Sequence, residues 1–376
     1  MHKYLLIPDS FKGTLSAREV CQLTAEVIRQ REPDAVIRMV PVADGGEGTV
    51  DAFLSALGGQ RVDCPCQGPY GEPIPGFYGL LPDGTAVIEM AAAAGLPLAG
   101  TRREPEAAST FGVGQLLGHA AHHGARRLVL GLGGSATNDG GCGAAAALGV
   151  RFFDRAGREF VPVGGTLRDI ARIDASGLDA AFAALSLTAM CDIDNPLCGP
   201  QGASAVFGPQ KGADPAAVER LDAGLRHLAV CLRAQLGRDV LDLPGGGAAG
   251  GFGAGACALL GARLQPGIDT VLELVDFDRL AADAFLVITG EGRLDSQSLR
   301  GKAVIGVARR AAALGVPTVA LVGTLEPDAL PAAQAAGLRY VIPALPAPLP
   351  PEQLRLRCRD TLRGAARRLL EQVLSG

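Results

Sequence analysis

Tyr4-Leu5-Leu6-Ile7-Pro8-Asp9-Ser10 is an apolar run of four residues that stops at a proline and two polar side chains. A short unbroken apolar run bounded by turn residues is the pattern of a parallel strand buried on both faces. Ser16 then stands three residues before Glu19, which predicts a capping box, and Val20, Leu23, Val27 and Ile28 continue at helical spacing to about Arg31. Residues 35–42 read as a second strand that ends at residues 43–48 (ADGGEG), with a helix predicted over 49–57. This β-α-β-α order is the start of an open parallel sheet.

The same alternation returns at the other end. Residues 284–289 predict a strand, 303–314 a helix, 318–322 a strand, 332–336 a short helix and 339–342 a strand. A Pro-rich linker at 343–351 precedes a basic amphipathic helix over 351–374. The middle differs: it is rich in Gly and Pro, with short strands predicted at 76–81, 86–90, 128–132, 151–153 and 184–191 and helices at 109–123 and 214–236. The expected fold is therefore α/β. A discontinuous Rossmann-like or flavodoxin-like parallel-sheet domain spans 1–66 and 281–376, and a second α/β domain carrying Gly-rich loops is inserted over 67–280.

A chain of 376 residues exceeds the usual single core, in keeping with two domains. Aromatic residues make up 4% and Trp is absent, so the core must be largely aliphatic. A net charge of −4 lacks the basic excess of a nucleic-acid partner, although local charge can still hold an anion. The nine Cys are odd in number and form no CxxC pair, which fits a reduced cytoplasm better than a disulfide framework. The apolar run at 4–7 is too short for a signal peptide, and no stretch is apolar and long enough to predict a membrane span.

Ligands of open α/β sheets bind beyond the carboxyl ends of the strands. Here those ends carry residues 9–13 (DSFKG), 44–48 (DGGEG), 290–295 (GEGRLD) and Gly323-Thr324. Turns and caps account for such residues in any one loop, less readily in four. Within the insert, strand 128–132 runs into residues 131–141 (GLGGSATNDGG) and an Ala-rich helix, an arrangement whose backbone N–H groups suit phosphate or carboxylate oxygens. No GxxxxGK[ST] occurs. Gly131, Gly133 and Ala136 match GxGxxA with Asp154 further on, which keeps an NAD(P)-linked hydroxy-acid oxidoreductase open as an alternative. Residues 191–197 (CDIDNPL) could hold Mg²⁺, take a proton from a hydroxyl, or form an Asx-Pro turn. Residues 207–212 (FGPQKG) add a cation, and the Gly run at 244–255 reads as a close-approach loop, a helix-packing seam or a hinge. His119, His122 and His123 lack the HExxH pattern and read as surface imidazoles, and no GxSxG elbow is present.

Taken together, residues 8–16 (PDSFKGTLS), 41–49 (PVADGGEGT), 131–141, 191–197, 208–212 (GPQKG) and 289–297 (TGEGRLDSQ) resemble the type 1 glycerate kinase family, in the right order and from end to end. The resemblance implies an enzyme that phosphorylates D-glycerate with ATP and Mg²⁺, forming 2-phosphoglycerate with the 3-position as the other outcome. It implies a bacterial route of glyoxylate or glucarate breakdown, and a discontinuous Rossmann-like domain with an inserted α/β domain.

On that footing the active site is expected in a cleft between the domains, closing to exclude water. Asp192 is the expected base, with Lys12, Asp295 and Arg293 as further catalytic groups. Asp9, Ser10, Lys12, Asp44, Glu47 and Lys302 are expected to bind the substrate. Gly133, Gly134, Ser135, Thr137, Asn138 and Asp139 are expected to hold the nucleotide, and Asp295 or Asp44 the Mg²⁺. A non-catalytic protein that binds the nucleotide or the acid is the other alternative. The oxidoreductase reading predicts that nicotinamide cofactors, and not ATP, raise the melting temperature, whereas the kinase reading predicts the reverse.

Overall fold

The first apolar run forms the strand Lys3–Pro8, which pairs in parallel with Leu286–Leu294 on one side and Val36–Met39 on the other. Thr318–Leu325 and Leu338–Pro343 extend the sheet beyond Leu286–Leu294, and every pairing is parallel. Side chains alternate between its faces. Tyr4, Leu6, Leu286, Ile288, Val319 and Leu321 pack with the helices Ala17–Arg31 and Pro351–Leu374, whereas Leu294, Ala320 and Val322 pack with Ala303–Ala313. The capping box forms as read: the Glu19 N–H donates to Ser16 Oγ at 3.2 Å, and the Ser16 N–H donates to Glu19 Oε2 at 2.9 Å. Such a cap is worth ~1 kcal/mol.

The computed structural model describes residues 1–42, 45–296, 298–300, 302–345 and 349–374, and it divides into two units. The first is Met1–Asp44, Ser55–Leu57 and Pro266–Gly376, and the second is Gly45–Leu54 and Gly58–Gln265. The first unit is thus a discontinuous Rossmann-like sheet interrupted by a second α/β unit. The chain leaves it before residue 66, because Gln60–Gln67 pairs with Pro73–Leu80 as a hairpin in the second sheet. It returns at Pro266, where Gly267–Leu274 packs on Ala303–Ala313.

The second unit holds a six-stranded sheet in the order Arg263–Gln265, Ser186–Met190, Arg127–Gly131, Thr85–Glu89, Pro73–Leu80 and Gln60–Gln67. The first four strands run parallel, and the last two are antiparallel. Its core is Ala- and Leu-rich, with Tyr78, Phe152, Phe182 and Phe252 the large fully buried rings. A small sheet of Arg151–Phe153, Glu159–Phe160 and Arg172–Asp174 stands apart from it. Among the described residues no helix is long and apolar enough to cross a membrane.

The Gly run is a packing seam. It opens the helix Ala248–Leu260, whose first turn is kinked at Ala249, Gly250 and Gly251, all with positive φ. A Cβ on Gly255 would lie 1.9 Å from the Gly140 carbonyl oxygen, so only glycine lets this helix lie against the 131–141 loop. Gly255→Ala is therefore expected to cost ~1–3 kcal/mol or more. This would be read as a lower urea midpoint, and a midpoint equal to that of the unaltered protein would mean the seam yields freely.

Candidate functional site

In the first sheet the chain turns outward in opposite directions from two neighbouring strands. Lys3–Pro8 is followed by Val36–Met39 on one side, and Leu286–Leu294 by Thr318–Leu325 on the other. The carboxyl ends at such a reversal leave a crevice where ligands of open sheets bind. In the second sheet the strand order follows the chain order without reversal.

The polar residues at this reversal come from two loops. The Asp9 N–H donates to the Gly290 carbonyl at 2.8 Å, and the Asp9 Oδ1 accepts from the Ser10 N–H at 2.6 Å. Phe11 and Leu15 exchange backbone hydrogen bonds, which closes a tight turn with Lys12 exposed at its tip. On the neighbouring strand Asp295 Oδ1 accepts from the Ser298 N–H at 3.1 Å. Arg293 is exposed and paired with Glu326, and it stands 3.7 Å from Asp295. Lys302 is the residue that precedes the helix Ala303–Ala313.

The residue that sequence reasoning left without a role is Glu291. It is 7% exposed, and among the described residues its Oε1 has no hydrogen-bond partner. Burial pushes its carboxyl up to about 7; the Ser298 hydroxyl and Lys302 pull it down, while Asp9 and Asp295 push it further up. A buried carboxyl with a spare oxygen at a strand reversal is suited to accept a proton near neutral pH. Its signal in the sequence was only its place between two glycines at a strand end.

In the second unit the loop 131–141 follows the strand Arg127–Gly131 and precedes the helix Cys142–Ala147. The Gly133 N–H donates to the Gly45 carbonyl at 3.0 Å, which docks the 45–48 loop, with its exposed Glu47, on the strand end. Glu89, at the end of Thr85–Glu89, is 3% exposed and caps the helix Thr49–Leu57: its Oε2 accepts from the Val50 N–H at 3.0 Å and its Oε1 from the Gly48 N–H at 3.4 Å. Burial raises its carboxyl from the usual range, against those two N–H groups.

The expected nucleotide residues divide into two sets. Gly133 and Gly134 reach the surface, and Ser135 is 5% exposed. Thr137, Asn138 and Asp139 are fully buried. Asn138 donates to Ser204 Oγ at 3.2 Å. The Asp139 carboxylate accepts from the Thr110 N–H and hydroxyl, both at 2.8 Å, and from the N–H groups of Gly141 and Gly143. Burial raises its carboxyl, and those four donors pull it back. These side chains build the loop from beneath, in place of lining its open face. Asp192 is exposed just beyond the strand Ser186–Met190. Asp154 accepts from the N–H groups of Ala156 and Arg158 in its own turn, so the acid of the dinucleotide reading is occupied locally. Asp44 lies outside the described residues.

Mg²⁺ requires hard oxygen donors and commonly takes only one or two carboxylates, with phosphates and water completing its shell. Among the described residues no three His, Cys, Asp or Glu side chains are grouped to hold a metal by themselves. Asp9 and Asp295 both act electrostatically on Glu291, and carboxylates placed like these two fit an ion that arrives with phosphate.

The profile of the family described as "Glycerate kinase family" matches residues 4–374. The glycerate kinase of Bacillus subtilis (strain 168) is 48% identical over 328 residues, covering 87% of this chain and 86% of the relative. The glycerate 2-kinase of Escherichia coli (strain K12) is 45% identical, with 87% and 86% covered. A crystal structure from Salmonella typhimurium LT2 assigned to glycerate kinase 2 superposes with a TM-score of 0.88 at 42% identity, covering 100% of this chain and 99% of that one.

The raised carboxyl of Glu291 carries a stability signature. The folded chain binds its proton more tightly than the unfolded chain does, so its contribution is full below the unfolded value and is lost as pH rises toward 7. Glu291→Gln is expected to melt above the unaltered protein at pH ~8, by a margin that shrinks toward pH ~5. A margin independent of pH would show that the group ionises as it does in water.

Proposed function

The chain belongs to the glycerate kinase family, and on that footing we propose that it moves the terminal phosphoryl group of ATP to the 2-hydroxyl of D-glycerate, forming 2-phosphoglycerate. The 2-position follows the name of the Escherichia coli relative. The observation that carries the reading is Glu291, a buried carboxyl near neutrality with one oxygen unpartnered at the strand reversal. Phosphoryl transfer asks a protein for positioning and charge neutralisation more than for covalent chemistry.

Each role falls to a set within one unit. In the first unit Glu291 takes the proton of the attacking hydroxyl, while Lys12 and Lys302 hold the glycerate carboxylate, supported by Asp9 and Ser10. Arg293 orients Asp295, beside which it stands. Asp295, with Asp44, would hold Mg²⁺, and the ion when bound neutralises charge on the phosphates. In the second unit the N–H groups of Gly133 and Gly134 and the hydroxyl of Ser135 hold phosphate oxygens. Glu47 contributes from the docked loop, and Asp192 is the second candidate for the base. The nine free thiols support a reducing, cytoplasmic setting.

Glu291→Gln is expected to lower kcat by ~10²–10⁴-fold with the fold intact. If Asp192→Asn shows that loss and Glu291→Gln does not, the base is Asp192. The reaction itself is read from ADP release with D-glycerate and ATP, with the product passed to enolase. Signal through enolase alone is expected; signal only after phosphoglycerate mutase is added would move the phosphate to the 3-position, and no ADP release would end the kinase reading.

A further inference from the structure

We propose that Lys211 is the positioning residue of the 131–141 loop: buried beneath it, its ammonium turns the Ser135 hydroxyl hydrogen outward, toward a phosphate oxygen. The inference rests on the reading of that loop as the triphosphate holder. Lys211 is 2% exposed, and its Nζ donates to Ser135 Oγ at 2.7 Å and to the Thr137 carbonyl at 2.6 Å. An ammonium only donates, so Ser135 Oγ must be the acceptor, and its own hydrogen must point elsewhere. Among the described residues no acceptor takes that hydrogen, and Gly133 and Gly134, its neighbours, reach the surface.

The local sequence brings the lysine there at a cost. The turn Pro209–Lys211 follows the helix Ala203–Phe207 and carries the side chain inward. Burying an ammonium is unfavourable unless something gains from its charge. Burial lowers its pKa to about 7, against the opposing pull of Asp139. Asp139 is the charged group acting on it from the loop. Arg103 donates to the neighbouring Gln210 carbonyl at 3.2 Å, and Asp214 caps the following helix by accepting from the Ala217 N–H. With its pKa near 7, the amine gains its proton fully when an anion settles above it, and the loop's hold on phosphate strengthens with that charge.

The test measures KM for ATP, KM for glycerate and kcat in Lys211→Met, Ser135→Ala and the double variant. Methionine keeps the length and the apolar stem but leaves the Thr137 carbonyl without its donor, so the melting temperature of each variant is measured beside its kinetics. The expected result is a ~10–100-fold rise in KM for ATP in Lys211→Met, with a smaller change in kcat and none in KM for glycerate. The effect should vanish in the Ser135→Ala background, where there is no hydroxyl to orient. In the unaltered enzyme KM for ATP should rise between about pH 7 and 9, as the amine loses its proton, and this slope should be absent in Lys211→Met. A rise in KM for ATP in Ser135→Ala but not in Lys211→Met would overturn the positioning role alone. No change in either would remove the loop from phosphate binding. Should Lys211→Met fail to fold, calorimetry of Mg-ATP binding to the unaltered enzyme decides, in two buffers of different ionisation heat. Net proton uptake at pH ~7.5 that persists in Glu291→Gln, where the other group titrating near 7 is removed, is expected, and none there would overturn the proposal.

Discussion

The loop at residues 131–141 keeps its shape because backbones meet around it with no side chain between them. A Cβ on Gly131 would stand 2.3 Å from the Gly45 carbonyl oxygen, and one on Gly250 would stand 2.1 Å from that of Thr137. From one side the 45–48 loop closes on the strand end, and from the other the kinked helix Ala248–Leu260 presses against residues 137–140. Carbonyls and N–H groups that a wider spacing would leave to water are paired across these contacts, as between the Gly140 N–H and the Gly250 carbonyl at 3.1 Å. Three segments far apart in the chain are therefore fixed by one steric condition, and the buried polar side chains beneath the loop depend on it.

Those side chains show what the tight packing makes possible. Thr110, Asp139, Asn138 and Ser204 form bonded pairs inside the unit, and Lys211 adds a cation within the same enclosure. In water each of these bonds would add little, but with solvent excluded each fixes the atoms it joins. The first unit uses burial differently. There a carboxyl, Glu291, keeps one oxygen unpartnered and is held near neutrality among other charges. The buried groups of the second unit mostly hold a shape, with Thr137 Oγ1 left unpartnered among the described residues, whereas the spare oxygen of Glu291 stands where chemistry can use it.

Much of this was legible in the sequence where a local signal sufficed. The strand at 4–7, the Ser16–Glu19 box and the helices Phe111–His122 and Pro215–Leu236 formed within a few residues of their expected places, because periodicity and caps are local. The strand Gln60–Gln67 escaped notice because it is an edge strand that contains Pro65 and alternates buried Cys64 and Cys66 with exposed neighbours. The Gly run 244–255 could not be resolved into seam or hinge, since the surface it meets lies more than a hundred residues earlier in the chain. For the site, the loops were visible, but the division between surface and buried members was not. Asp139 and Ser135 look alike in a Gly-rich string, and only the position of Thr110 and Lys211 tells them apart.

The pairing of Leu6 with Ile288 sets an order on the birth of the molecule. On the ribosome the strand Lys3–Pro8 emerges long before its neighbour Leu286–Leu294, which lies far downstream in the chain. At ~5–20 residues per second this leaves Lys3–Pro8 waiting on the order of a quarter of a minute to a minute without its inner partner. The second unit, whose residues are contiguous from Gly58 to Gln265, is complete in that interval. A strand as apolar as Tyr4-Leu5-Leu6-Ile7 spends that time with its inner edge unpaired, while the helix Ala17–Arg31 can cover only one of its faces.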